Sequence, residues 1–254
     1  MATAPDTTSD KRPATDERQR STAERIAGLD WRQVADELDE RGNAVIERLL
    51  DAQECAHLAG LYDAPGLHRS LIVMERHGYG RGEYRYFAYP LPPLVQELRT
   101  ALYAQLAPVA NRWSQMTGSA MRYPPGHATY LELCHAAGQR QPTPLLLRYA
   151  TGDYNRLHQD LYGEHLFPLQ VTILLSRPGR DFTGGEFVLT EQRPRMQSRA
   201  EVVSLGEGDA VVFAVNHRPL RGRRGVYRVR TRHGVSRVRS GERRTLGVIF
   251  HDAR

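Results

Sequence analysis

Val226-Tyr-Arg-Val-Arg-Thr-Arg-His233-Gly-Val-Ser-Arg-Val-Arg-Ser-Gly-Glu-Arg243-Arg-Thr245-Leu-Gly-Val-Ile-Phe250 is the stretch whose periodicity sets the fold. Successive side chains of a strand point to opposite faces. Arg228, Arg230 and Arg232 therefore share one face, and Tyr227, Val229, Thr231 and His233 share the other. A row of guanidinium groups cannot be buried cheaply, so His233 turns inward among apolar neighbours. Ser240-Gly241-Glu242-Arg243 then reads as a turn into a strand over 245–250, with Arg243 and Thr245 on one face beside the strand of His233. A buried guanidinium requires an anion, and its planar fork fits a carboxylate through two bonds. The Thr245 hydroxyl can add a third.

Working outward, short apolar runs bounded by Gly, Pro and Asn fill the chain after Pro144: 145–150, 169–175, 186–189, 201–205, 210–215, 226–233 and 245–250. Such closely spaced runs predict an antiparallel barrel or double-sheet jelly roll. The earlier part reads differently. Asp30 with Gln33 opens a short capped helix that stops at Gly42, and 44–46 suggests a strand. Asp51 with Glu54 is a capping box for a helix to about Leu61. Leu94, Leu98, Leu102, Leu106, Val109 and Trp113 recur at helical spacing, predicting a long helix to Gly118, bent at Pro108. Residues 1–20, rich in Pro, Thr and Asp, read as a disordered tail. The expected class is α+β: a jelly-roll core over 144–254, with supporting helices and a lid region over 21–143.

The chain has 254 residues, enough for one domain with a sizeable core, and 40% hydrophobic content is ordinary for a globular protein. No apolar run approaches a membrane span. Cys55 and Cys134 are too few for a disulfide framework, and the first residues lack the apolar stretch of a signal peptide, so a cytoplasmic location is expected. Lys11 is the single lysine, and the formal net charge is +6. That charge is local. Residues 215–254 hold 12 arginines against Glu242 and Asp252, a net +10, and the rest of the chain is net −4.

His158-Gln159-Asp160 is the candidate metal motif, because residues two apart on an extended strand face one side. Two imidazoles and one carboxylate on one face of an octahedron are what non-heme Fe(II) oxygenases use. His233 is the favoured third ligand. His217 is its rival, but no Gly-x-Arg follows His217 at about ten residues. His127 and the Cys134-His135 pair lack ligand spacing. Gly78-Tyr-Gly80-Arg-Gly82 lacks the lysine and the strand–helix context of a phosphate loop.

Together, His158-x-Asp160, His233 and Arg243-x-Thr245 resemble the Fe(II)/2-oxoglutarate-dependent dioxygenases, whose fold is a double-stranded β-helix, a jelly-roll variant. The run from His233 through Gly241-x-Arg243 to Leu246 is similar to the prolyl-hydroxylase-like branch. Arg148-Tyr149-Ala150-x-Gly152, leading to Leu157-His158-Gln159-Asp160, is similar to the AlkB-type nucleic-acid demethylases. Gly184-Gly185-Glu186-Phe187 resembles a Gly-Gly turn common after the metal strand. A closer resemblance is to a bacterial group assigned to oxidative repair of damaged nucleic acid. The shared features are the block 154–163, the Arg-rich approach to His233 and the His251-Asp252 ending. The chain departs from the AlkB pattern at Leu147, where an asparagine is usual.

The resemblance implies Fe(II) held by His158, Asp160 and His233, with 2-oxoglutarate and O2 as cosubstrates. Arg243 would pair with the far carboxylate of 2-oxoglutarate, with Thr245 and Tyr149 in support. The cosubstrate would be converted to succinate as a substrate C–H is hydroxylated. On an N-methyl base the hydroxylated carbon leaves as formaldehyde. Nucleic acid is the expected partner, with neither a membrane nor an obligate protein partner implied. Its contacts would come from Tyr79, Arg81 and Tyr84, in a segment placed like a nucleotide-recognition lid, and from His217, Arg218 and the arginines that follow. A hydroxylase of a protein side chain or an anionic small molecule would use the same chemistry. A non-enzymatic binding domain would need neither the ligand set nor Arg243.

Overall fold

The computed structural model describes residues 21–223 and 225–254; the expected tail, 1–20, lies outside the described residues. In chain order the elements are α1 (Thr22–Ala27), α2 (Trp31–Arg41), β1 (Asn43–Ile46), α3 (Ala52–Gly60), β2 (His68–Val73), β3 (Gly80–Arg81), β4 (Glu83–Phe87), α4 (Pro93–Met116) and α5 (His127–Ala136). There follow β5 (Leu145–Ala150), β6 (Tyr154–His158), β7 (Leu169–Leu174), β8 (Phe182–Gly184), β9 (Phe187–Gln192), β10 (Arg199–Val203), β11 (Ala210–Ala214), β12 (His217–Gly222), β13 (Gly225–Val235) and β14 (Val238–Val248).

Eight strands form one sheet in the order β1-β11-β7-β14-β5-β4-β2, with β8 on β14. The other six form the order β10-β9-β13-β6-β3, with β12 on β13. This is the expected jelly-roll architecture in an α+β chain.

Period-two alternation explains how the larger sheet serves two surfaces. Leu146 of β5, Val171 and Ile173 of β7, and Leu246 and Val248 of β14 join the main core with Val95, Leu98, Leu102 and Leu106 of α4. Their alternates Leu147, Tyr149, Thr172, Arg243 and Thr245 face the cavity between the sheets. One face thus carries the helices and the other carries chemistry. Helix α4 continues through Pro108. The capping boxes do their expected work: the Asp51 carboxylate accepts from the Gln53 and Glu54 amides at 2.8 Å, starting α3.

Four differences from the sequence reading matter. β2, β3 and β4 lie in the part read as mainly helical, and with the expected strand β1 they extend both sheets. The segment expected as a lid is woven in: β3 pairs with β6, and β4 pairs with β5. The turn expected at 240–243 is instead strand within β14, whose pairing with β8 shifts register between Val238 and Ser240, and Gly241 lies at φ +78°. A side chain there would meet the Asp181 carbonyl at 2.0 Å, so glycine is required. Finally, Arg243 does not stand beside the strand of His233. β14 belongs to the larger sheet and β13 to the smaller, so the two residues meet across the cavity.

Candidate active site

His158 and His233 are direct cross-strand partners of β6 and β13, with ring centroids 4.2 Å apart. The chain leaves the sheet after His158, and Asp160 folds back beneath both rings. Its Oδ1 lies 3.5 Å from His158 Nε2, and its Oδ2 lies 3.4 Å from His233 Nε2. One ligand atom from each residue falls within 4.8 Å of the others. His217 is outside this cluster, exposed at the start of β12.

Protonation suits metal binding. His158 Nδ1 donates to the Arg156 carbonyl at 2.7 Å, which leaves Nε2 as a free lone pair toward Asp160. Burial, reinforced by His233, pushes the His158 imidazole below its usual range. Burial alone would raise the Asp160 carboxyl, but hydrogen bonding and charge from His233, with His158 and Tyr162, hold it well below the usual range. Two imidazoles and an ionised carboxylate converge here, the donor types of a 2-His-1-carboxylate iron site.

The opposite wall presents an unpaired cation. Arg243 is 2% exposed, and its Nε and Nη1 have no hydrogen-bond partner among the described residues. Burial pushes its pKa down to about 10, only partly offset by Tyr149 and Glu186. Its guanidinium stands over the Tyr149 ring, 5.7 Å from the centroid. Gly185 makes this possible, since a Cβ there would meet Arg243 Cδ at 2.9 Å. Such an orphaned guanidinium calls for a carboxylate ligand. Arg243, Thr245 and Tyr149 share one cavity of about 210 Å³ with the His158–Asp160–His233 cluster. The residues therefore fit both an iron ion and a 2-oxo dicarboxylate.

Tyr79 and Tyr84 line the same cavity, whereas Arg81 does not and lies exposed beside Glu75 and Asp153. Arg218 corrects the sequence reading. It was expected on the substrate side but is fully buried, pairing with Glu191 and donating to the carbonyls of Asp39 and Glu40 at 2.9 and 3.1 Å. Several lining residues were missed. Tyr162 donates to Asp160 Oδ1 at 2.7 Å, and Tyr86 meets the Tyr162 hydroxyl at 3.2 Å. Gln170 and Thr172 interrupt the apolar run of β7 at alternate positions, a signal that this face is not core.

With the geometry in place, solved structures of the same fold can be set beside it. A Pseudomonas putida prolyl-4-hydroxylase matches at TM-score 0.52 and 17% identity, covering 88% of this chain and 99% of that one. A 2OG-Fe(II) oxygenase-family oxidoreductase from Burkholderia pseudomallei matches at 0.52 and 18%, covering 89% and 93%. A Trichoplax adhaerens prolyl hydroxylase matches at 0.53 and 14%, covering 87% and 89%. These likenesses concern the fold. Joined to a family model of oxygenases that matches residues 82–253, they make the chain an oxygenase with the fold of the 2OG-Fe(II) enzymes.

The chain belongs to the Oxygenase-NA family, described as "oxygenase, catalysing oxidative methylation of damaged DNA", whose model matches residues 82–253. Uncharacterized protein Rv2227 of Mycobacterium tuberculosis is 50% identical over 167 residues, which are 66% of this chain and 72% of the relative. Among the described residues no helix is long and apolar enough to cross a membrane.

Proposed function

We propose that the protein removes alkyl groups oxidatively from damaged bases in nucleic acid. His158, Asp160 and His233 hold Fe(II), and Arg243 pairs with the far carboxylate of 2-oxoglutarate, assisted by Thr245 and Tyr149. When bound, Fe(II) and 2-oxoglutarate with O2 supply an oxidant able to hydroxylate a C–H bond. Hydroxylation of an N-methyl carbon frees it as formaldehyde, so the outcome on the base is loss of the methyl group.

The chain's own residues position and enclose. Tyr162 fixes the Asp160 carboxylate through Oδ1, leaving Oδ2 toward the cluster. The apolar and aromatic walls Leu145, Leu147 and Phe187 keep water from the reacting centre. Tyr79, Tyr84 and Tyr86 offer flat faces to a base displaced from its stack. The observation that carries the reading is this tyrosine wall in one cavity with the donor cluster and the unpartnered Arg243; the family description, an oxygenase acting on damaged DNA, supports the substrate class.

The test is anaerobic loading with Fe(II) and 2-oxoglutarate, then oxygenation with methylated single- or double-stranded oligonucleotides. Formaldehyde and succinate in equal amounts are expected. Succinate coupled to a peptide or small anion, with no formaldehyde from any alkylated base, would contradict the substrate assignment and leave the chemistry standing.

A further inference from the structure

One surface depression adjoins the catalytic cavity, and a second overlaps the wall of the first. The first, of about 340 Å³, shares Asp160 with the catalytic cavity and reaches His217 and Arg228. The next, of about 270 Å³, shares His217 and Arg228 with the first and adds Arg193, Arg195 and Arg230. Together they form a trough leading away from the metal-ligand cluster across β12 and β13.

The trough is chemically ordered. Near Asp160 its floor is apolar, formed by Trp113, Leu161, Phe167 and Pro219, with Leu161 47% exposed. Farther out it is cationic. β6, β12 and β13 contain no Asp or Glu, and Arg195, Arg228 and Arg230 have no carboxylate partner among the described residues. Arg228 and Arg230 are held only by neutral oxygens, at Thr117 and Gln159, each at 3.2 Å. Arg193 is the exception, paired with Glu191 at 2.9 Å. Arg230 stands opposite His217 across the β12–β13 ladder, and Gln159, which it contacts, lies between His158 and Asp160.

An apolar floor followed by unpaired guanidinium groups fits a nucleotide, with base and sugar on the floor and phosphate on the fork. Residues two apart on a strand stand about 6.6–6.8 Å apart. That separation is close to the spacing of successive phosphates along an extended single strand. We propose that this trough binds the polynucleotide strand flanking the target base, with successive phosphates on Arg228, Arg230 and Arg195 and with His217 between them. The proposal rests on the nucleic-acid reading above and names the surface that serves it. Sequence specificity is not expected from such contacts, because phosphate contacts set register and affinity alone.

The experiment measures fluorescence anisotropy of a labelled single-stranded oligonucleotide from low to moderate salt. It uses the wild type and a triple variant, Arg195→Gln with Arg228→Gln and Arg230→Gln, whose folding is checked by thermal unfolding. A second triple variant, Arg32→Gln with Arg140→Gln and Arg180→Gln, removes equal charge from exposed positions outside the trough. The trough variant is expected to bind at least about tenfold more weakly at low salt, with its log–log salt slope shallower by about 2, and the second variant is expected to match the wild type. The proposal is overturned if the trough variant binds within about twofold of wild type with an unchanged slope, or if the second variant loses as much. Polyglutamate displacing the oligonucleotide as effectively as unlabelled strand would also overturn it. If the wild type binds no oligonucleotide at all, the nucleic-acid reading itself fails.

Discussion

Tyr162 shows what a single residue contributes here. Its hydroxyl occupies Asp160 Oδ1, so the carboxylate cannot rotate freely, and Tyr86 braces that hydroxyl in turn. Groups that orient metal ligands in this way typically alter metal affinity by 10–100-fold when removed. Tyr162→Phe is therefore expected to weaken Fe(II) or Co(II) binding by about tenfold or more, measured by titration with a competing chelator, while leaving the fold intact. Unchanged affinity would mean that Asp160 is held by the histidines alone. Arg218 gives the opposite lesson. Its charge made it look available to substrate, but the buried pair with Glu191 ties β12 to β9 and to the end of α2. Arg218→Ala leaves Glu191 with only Arg193 and should cost about 3–5 kcal/mol in urea unfolding. A loss below about 1 kcal/mol, the range of exposed pairs, would contradict that structural role.

At the level of elements, strand alternation made the site legible. The inward His233 and outward Arg228, Arg230 and Arg232 follow directly from period two, and β13 has that burial pattern. Elements marked by capping were equally legible, as with α2 and α3. Helix α5 was not, because Gly126 caps it without a side-chain hydrogen bond and its start carries no signature. β2 and β4 were missed for another reason. They pair with each other, and β4 pairs with β5, so their strand character comes from partners distant in sequence and from a burial pattern that alternates only in part. Sheet membership was also invisible, since which sheet holds β14 depends on β5 and β7. The Gly184–Gly185 turn joining β8 to β9 yields a prediction at this scale. Gly185 sits at φ +64° with Arg243 against it, so Gly185→Ala strains the turn and displaces the guanidinium. The expected result is a several-fold higher KM for 2-oxoglutarate; an unchanged KM would mean that Arg243 does not depend on this turn.

For the whole molecule, the buried histidines beneath the larger sheet set an acid limit. His127 donates to the Phe250 carbonyl at 2.8 Å, and burial, with Arg99 adding to it, pushes its pKa down to about 4. His251 is lowered to about 4 in the same way, its Nδ1 accepting from the Phe167 amide. The unfolded chain protonates both near pH 6.5 and the folded chain does not. Stability is therefore full above about pH 6.5 and falls toward pH 4, with roughly two protons taken up on unfolding near pH 5. Urea midpoints measured from pH 7.5 to 4.5 check this, and a flat profile would contradict it. The charge distribution belongs to this scale too. An acidic body with a basic end becomes informative only once the fold separates arginines used internally, such as Arg218 and Arg243, from those left outward on β13. The central claim is that the two sheets assemble one iron and 2-oxoglutarate site from His158, Asp160, His233 and Arg243. The most direct measurement is the visible charge-transfer absorption that develops when a 2-oxo acid chelates Fe(II) under anaerobic conditions. The wild type and His217→Ala should develop the band, Arg243→Gln should need far more 2-oxoglutarate to do so, and His233→Ala should show none. A band retained in His233→Ala and lost in His217→Ala would contradict the site.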